Sequence, residues 1–190
     1  MPTILSHAAI PLVLGLGLGN RVIPRRLLVA GILASILPDL DVLAFRLNVA
    51  YSHVLGHRGV SHSVVFALAL ALLALACAPQ LRSSRLIAFS FIGLATVSHG
   101  LLDMFTNGGL GVALWWPWSS DRFFAYWQVI EVSPLSLSRV FSARGLTVLQ
   151  SELLWVWLPA VVVTVALLAI RTLGFSSVFK RDAVVKRVAP

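Results

Sequence analysis

The chain has 190 residues, 58% of them hydrophobic and only 12% charged, about half the charged share of a soluble domain. That balance excludes an ordinary soluble enzyme and predicts a multi-pass membrane protein. The net charge of +8 then marks loops on one membrane face, so no nucleic-acid partner is expected.

The opening Met1-Pro2-Thr3-Ile4 has no basic n-region and no evident cleavage site, so no signal peptide is expected. A first apolar stretch runs from about Thr3 to Leu18, carries His7 in its opening turns and stops at Gly19-Asn20. Pro24, set among Arg21, Arg25 and Arg26, can open a second helix. That helix breaks or kinks near Leu37, because Pro38 disfavours helix in the residue before it. The polar turn Pro38-Asp39-Leu40-Asp41 follows, then a connector holding His53, His57, Arg58 and His62. The third run, Val64 to Ala78, is almost wholly apolar. Its single cysteine, Cys77, leaves no internal disulfide and reads as a packing residue. A basic link, Arg82 to Arg85, leads to a fourth run from Leu86 to about Phe105, with His99 and Asp103 near its end. Residues Asn107 to Gln150 are mixed; they open on Gly108-Gly109-Leu110-Gly111 and carry Trp115, Trp116, Trp118 and Trp127, a composition suited to the headgroup layer. A fifth run, Leu153 to Ile170, is long enough to span. The pattern predicts an all-α, polytopic membrane helix bundle of about five spans with a Trp-rich outer interfacial segment. Residues 1–173 form the bundle and 174–190 a basic cytoplasmic tail.

Alternating five spans puts the Arg21–Arg26 link, the Arg82–Arg85 link and the tail on one face. Their basic density makes that face cytoplasmic, with the N-terminus outside and the C-terminus inside. Helical rise then sets depth. His7, Asp39 and His99 each lie roughly 20 Å from the inner charged ring, and Asp103 and His62 roughly 27–30 Å. All five histidines fall in the outer half, and of the seven acidic residues only Asp182 lies inside.

His99 and Asp103 are one helical turn apart on one face, where an imidazole and a carboxylate can close on one divalent ion. The plainer reading is a His–Asp hydrogen bond joining two helices. His7, Asp39, His57, His62, His99 and Asp103 together suit zinc, with manganese or iron as alternatives. One of Asp39 and Asp41 can ligate while the other orients a histidine or the attacking water. Arg58 can hold a phosphate oxygen or pair with Asp39 or Asp41. Ser61 can cap the third helix, and His53 ranks below the other histidines.

Ser6-His7, Leu37-Pro38-Asp39-Leu40-Asp41, His57-Arg58-Gly59, Ser61-His62-Ser63, His99-Gly100-Leu101-Leu102-Asp103 and Trp116-Pro117-Trp118 occur in this order. In these motifs, over about residues 1–125, the chain resembles the YdjM family of bacterial inner-membrane, LexA-regulated metal-dependent hydrolases. That family is distantly similar to zinc-dependent phospholipases C and trinuclear-zinc nucleases. The resemblance implies metal roles for His7, Asp39, His57 or His62, His99 and Asp103. With five histidines and three nearby aspartates, one or two ions fit better than three.

The expectation is therefore a hydrolase of a phosphoester in a lipid or lipid-linked substrate at the outer leaflet. Asp39, Asp41 and Arg58 are its candidate catalytic groups. The alternatives are a non-enzymatic scaffold or stress-response protein whose polar groups are interhelical glue, and a transporter. The transporter is disfavoured because the inner half of the spans lacks ionisable residues.

Overall fold

The structure, a computed structural model, describes residues 1–133 and 142–188, with side chains described as far as residue 173. It is helical, and among the described residues there is no β-strand, only isolated bridges at Thr106–Ile130 and Val112–Phe123. Three helical stretches are long and apolar enough to cross a membrane: Arg25–Leu47, Arg85–Met104 and Ala143–Leu173. Two shorter apolar helices, Ile4–Leu18 and Val64–Ala76, complete the bundle.

The first apolar stretch folds as α1 (Ile4–His7) and α2 (Ala9–Leu18). The interruption at Ala8 has a local cause. Pro11 has no N–H to return to the His7 carbonyl, so the helical ladder is broken there. α2 ends at Gly19, whose φ of 80° is a backbone conformation that glycine adopts without steric cost. α3 (Arg25–Ile36) follows Pro24. At Pro38 the chain tightens into a 3-10 segment, Leu37–Leu47, closed by Asn48 in the left-handed region. A second 3-10 turn, Val60–His62, leads into α4 (Val64–Ala76). Ser63, not Ser61, caps that helix by accepting from the Phe66 N–H at 3.1 Å. α5 (Arg85–Met104) is capped by Ser84 and is roughly 30 Å long.

The last helix begins well before the expected Leu153. α6 (Ala143–Glu152) runs into one π-helical turn, Leu153–Trp157, and then into α7 (Leu158–Val188). Pro159 accounts for the wider turn, since it cannot donate to the Trp155 carbonyl one α-turn back. The sequence expected for the tail thus continues the same helix as far as Val188.

α5 is the central helix, packed against α3 and α4, while α2 lies between α3 and α7. Small residues permit the close approaches, as membrane helix contacts require. Ala67, Ala71 and Ala74 form the buried stripe of α4, and the Phe91 ring of α5 lies where a Cβ on Gly31 of α3 would stand. The Ala143–Leu173 helix has only 6% of its apolar window buried, so its leucines and valines need lipid around them.

Candidate metal centre

The polar residues of four segments meet at one end of the bundle. α1 supplies His7, the 3-10 segment after α3 supplies Asp39 and Asp41, and the connector supplies His57, Arg58 and His62. The last turns of α5 supply His99 and Asp103. A 3-10 helix turns about 120° per residue, so Asp39 and Asp41 diverge by roughly 240°. One points at His7 and His99, the other at His57 and His62.

Asp39, His62, His99 and Asp103 are buried and each offers a ligand atom within 4.8 Å of the others. His62 Nε2 lies 2.9 Å from His99 Nε2 and 3.3 Å from Asp103 Oδ2. His99 Nε2 lies 3.4 Å from Asp39 Oδ1. Two ligands about 2.1 Å from a tetrahedral ion lie roughly 3.4 Å apart, so these spacings suit ligands sharing one cation. His7 stacks on His99, with centroids 3.6 Å apart. Its Nε2 is 3.7 Å from the outer oxygens of both carboxylates, Asp39 Oδ2 and Asp103 Oδ1.

The tautomers follow from the partners. His99 Nδ1 faces the Ser35 carbonyl at 2.7 Å; a carbonyl only accepts, so Nδ1 carries the proton and Nε2 presents its lone pair. His62 Nδ1 faces Asp41 Oδ2 at 3.2 Å, which likewise turns its Nε2 inward. Burial works against charge on His62, but the Asp103 and Asp41 carboxylates beside it outweigh that and raise its pKa to about 9. A divalent ion at this point would take the place of that proton.

The donor set passes a test of fit. Both ring nitrogens of His7, both oxygens of Asp39 and Asp103 Oδ1 are buried without a hydrogen-bond partner, while Asp103 Oδ2 has the Arg58 guanidinium 3.0 Å away. Each unpartnered buried polar group costs about 1–3 kcal/mol, more when charged. A shared cation would satisfy the carboxylate oxygens together with one nitrogen of His7.

Asp41 is the opposite case. Its Oδ1 accepts from His57 Nδ1 at 2.5 Å, and its Oδ2 from the Arg58 N–H at 3.1 Å and Ser61 Oγ at 2.6 Å. Asp41, His57 and His62 make a second group that can hold an ion, yet here the carboxylate is already saturated. Ser61, read from sequence as a possible cap, is instead one of its donors.

Arg58 has φ of 63° and is fully buried. Its Nε is 3.0 Å from Asp103 Oδ2, and its other nitrogens donate to the Gly108 carbonyl at 2.8 Å and Thr106 Oγ1 at 2.7 Å. The ion pair expected with Asp39 or Asp41 is therefore made with Asp103, and the fork expected to hold phosphate is engaged by protein. His53 stays exposed, its Nδ1 accepting from the Leu55 N–H.

Three contributors were not singled out from sequence. A Cβ on Gly100 would meet the His62 carbonyl at 2.8 Å, so this glycine lets the connector lie against α5. Its position between His99 and Asp103 was the available signal. Glu152, buried in the last helix, accepts from the Thr3 N–H, Thr3 Oγ1 and Ser6 Oγ and so fixes the helix that bears His7. Arg122 donates to the carbonyls of Tyr51, His53 and His57, fastening the connector to the Trp-rich segment. Neither long-range partnership leaves a sequence pattern.

A family model described as YdjM inner membrane protein matches residues 1–177, farther than the 1–125 over which the motifs run. Inner membrane protein YbcI of Escherichia coli (strain K12) is 52% identical over 160 residues, covering 84% of this chain and 92% of that protein. No solved structure matches.

Proposed function

The chain belongs to the YdjM family of inner membrane proteins, and from that premise we propose that it is a membrane-embedded, metal-dependent hydrolase of a phosphoester. The observation that carries this reading is the buried set Asp39, His62, His99 and Asp103, converging at ligand spacing with both Asp39 oxygens lacking a hydrogen-bond partner. A structural staple would satisfy those oxygens within the protein.

One or two divalent ions, zinc first among them, would lower the pKa of a water and polarise a phosphoryl oxygen. The chain's own groups do the rest. His99 is oriented by the Ser35 carbonyl and His62 by Asp41. Asp39, with no donor from the protein, is free to accept a proton from the attacking water or to ligate. Arg58 acts through Asp103, holding that carboxylate in place. The substrate is a lipid or lipid-linked phosphoester, which already lies at the depth of the cluster. The cluster faces away from the cytosol, since the basic links lie at the other end.

The test is to purify the full chain in detergent, measure bound metal, and follow hydrolysis of a phospholipid phosphoester in mixed micelles. Wild type is expected to hold metal and to be active, and His99→Ala with Asp103→Ala to lose both. Wild type without metal after dialysis against zinc would overturn the reading. It would favour an alternative supported by the saturated Asp41 half, a non-enzymatic protein whose polar groups join helices.

A further inference from the structure

At the end of the bundle away from the cluster, a groove of about 920 Å³ opens where α2 ends, α3 begins and α7 passes. It is separated from His7 by the length of α2, ten residues or roughly 15 Å. We propose that this groove is a binding site for the headgroup and upper acyl chain of an anionic phospholipid.

Three arginines line it: Arg21 from the turn after α2, Arg25 from the first turn of α3, and Arg171 from α7. Among the described residues lining it there is no Asp or Glu. Arg171 is built into the wall. Its Nη1 donates to the Leu16 and Gly17 carbonyls at 3.2 and 3.1 Å, the free acceptors at the end of α2. A Cβ on Gly19 would stand 2.1 Å from that same nitrogen, so glycine there admits the guanidinium. A loop that merely marks topology needs charge but no concavity and no seated arginine.

Apart from Asn20 and Thr172 the remaining wall is apolar, and Leu16, Leu18 and Val22 are exposed in it. Clustered guanidinium groups recognise phosphate, and exposed leucines in a membrane protein recognise acyl chain. Only a molecule both anionic and greasy uses both surfaces, so the occupant is a lipid rather than free phosphate. Basic pockets between membrane helices are the recurring form of such sites, and the volume lies in the range of small-molecule pockets.

The experiment uses the full chain in neutral detergent and reads thermal unfolding with added phosphatidylglycerol, phosphatidylcholine or inorganic phosphate. Phosphatidylglycerol is expected to raise Tm in a saturable manner, and the other two to leave it unchanged. In Arg21→Gln with Arg25→Gln, both exposed, the concentration needed is expected to rise about fivefold per arginine. An equal rise with phosphatidylcholine, a rise with inorganic phosphate alone, or an undiminished response in the double variant would overturn the proposal. The wild-type comparison of the three additives needs no variant, and metal content at the other end plays no part in it.

Discussion

Asp39 and Asp41 stand two residues apart on the same 3-10 segment, yet they lie in different electrostatic worlds. Asp41 is saturated by donors from His57, the Arg58 backbone, Ser61 and His62. Asp39 is more deeply buried and has no hydrogen-bond donor. A saturated buried carboxylate is cement. One left bare among histidines costs free energy as an anion unless a proton or a cation offsets its charge. The difference separates the half of the cluster whose carboxylate is satisfied by the protein from the half that can hold an ion.

The largest expected effect tests that division on stability. With chelator present, Asp41→Ala is expected to destabilise by about 3–5 kcal/mol, because it strands buried donors. Asp39→Asn should be near neutral or stabilising under the same conditions, read by denaturant or thermal unfolding in detergent. Equal losses in both would erase the distinction. Next in size, His99→Ala is expected to weaken zinc binding more than about 100-fold, beyond the range for outer-shell groups. Metal content by elemental analysis, unchanged from wild type, would count against the bare half as an ion site.

Gly100→Ala should displace the His62 backbone without touching a donor atom, weakening metal binding about tenfold, with wild-type helical content by circular dichroism. The pH response sharpens the picture further. His62 holds a proton up to about pH 9, and ligation requires its removal. Apparent zinc affinity should therefore rise with pH between about 6.5 and 8.5, by up to tenfold per unit for one displaced proton. In the chelated protein the sign is reversed. A raised folded pKa contributes stability that is complete below the unfolded value of about 6.5 and is lost as pH climbs through about 9. The smallest effect belongs to His53→Ala: exposed and outside the cluster, it should change stability by less than about 0.5 kcal/mol and metal content not at all.

Much of this was legible in the chain. Prolines at 24 and 38, glycine at 19 and the apolar runs bounded the end of α2 and both ends of α3, α4 and α5 to within a residue or two, because backbone restrictions act locally, while the break at Ala8 was not foreseen. The last helix was misread at its start. Residues 143–152 carry Arg144, Gln150 and Glu152 and look polar, and only contact with α1 and the connecting segment makes that face sensible. Depth counting from the arginine rings put His7, Asp39, His99, Asp103 and His62 in one layer, and the structure gathers them in one cluster.

Composition and local residue chemistry were enough to read the membrane class, most breaks between helices and the supply of imidazole and carboxylate at one end. These follow from composition and from constraints carried by single residues. Which aspartate is saturated and which is bare, the pairing of Arg58 with Asp103, and the framing of the cluster by Gly100 and Glu152 emerge from the folded arrangement alone. Those outcomes depend on distances between segments far apart in the chain, and no local pattern encodes them.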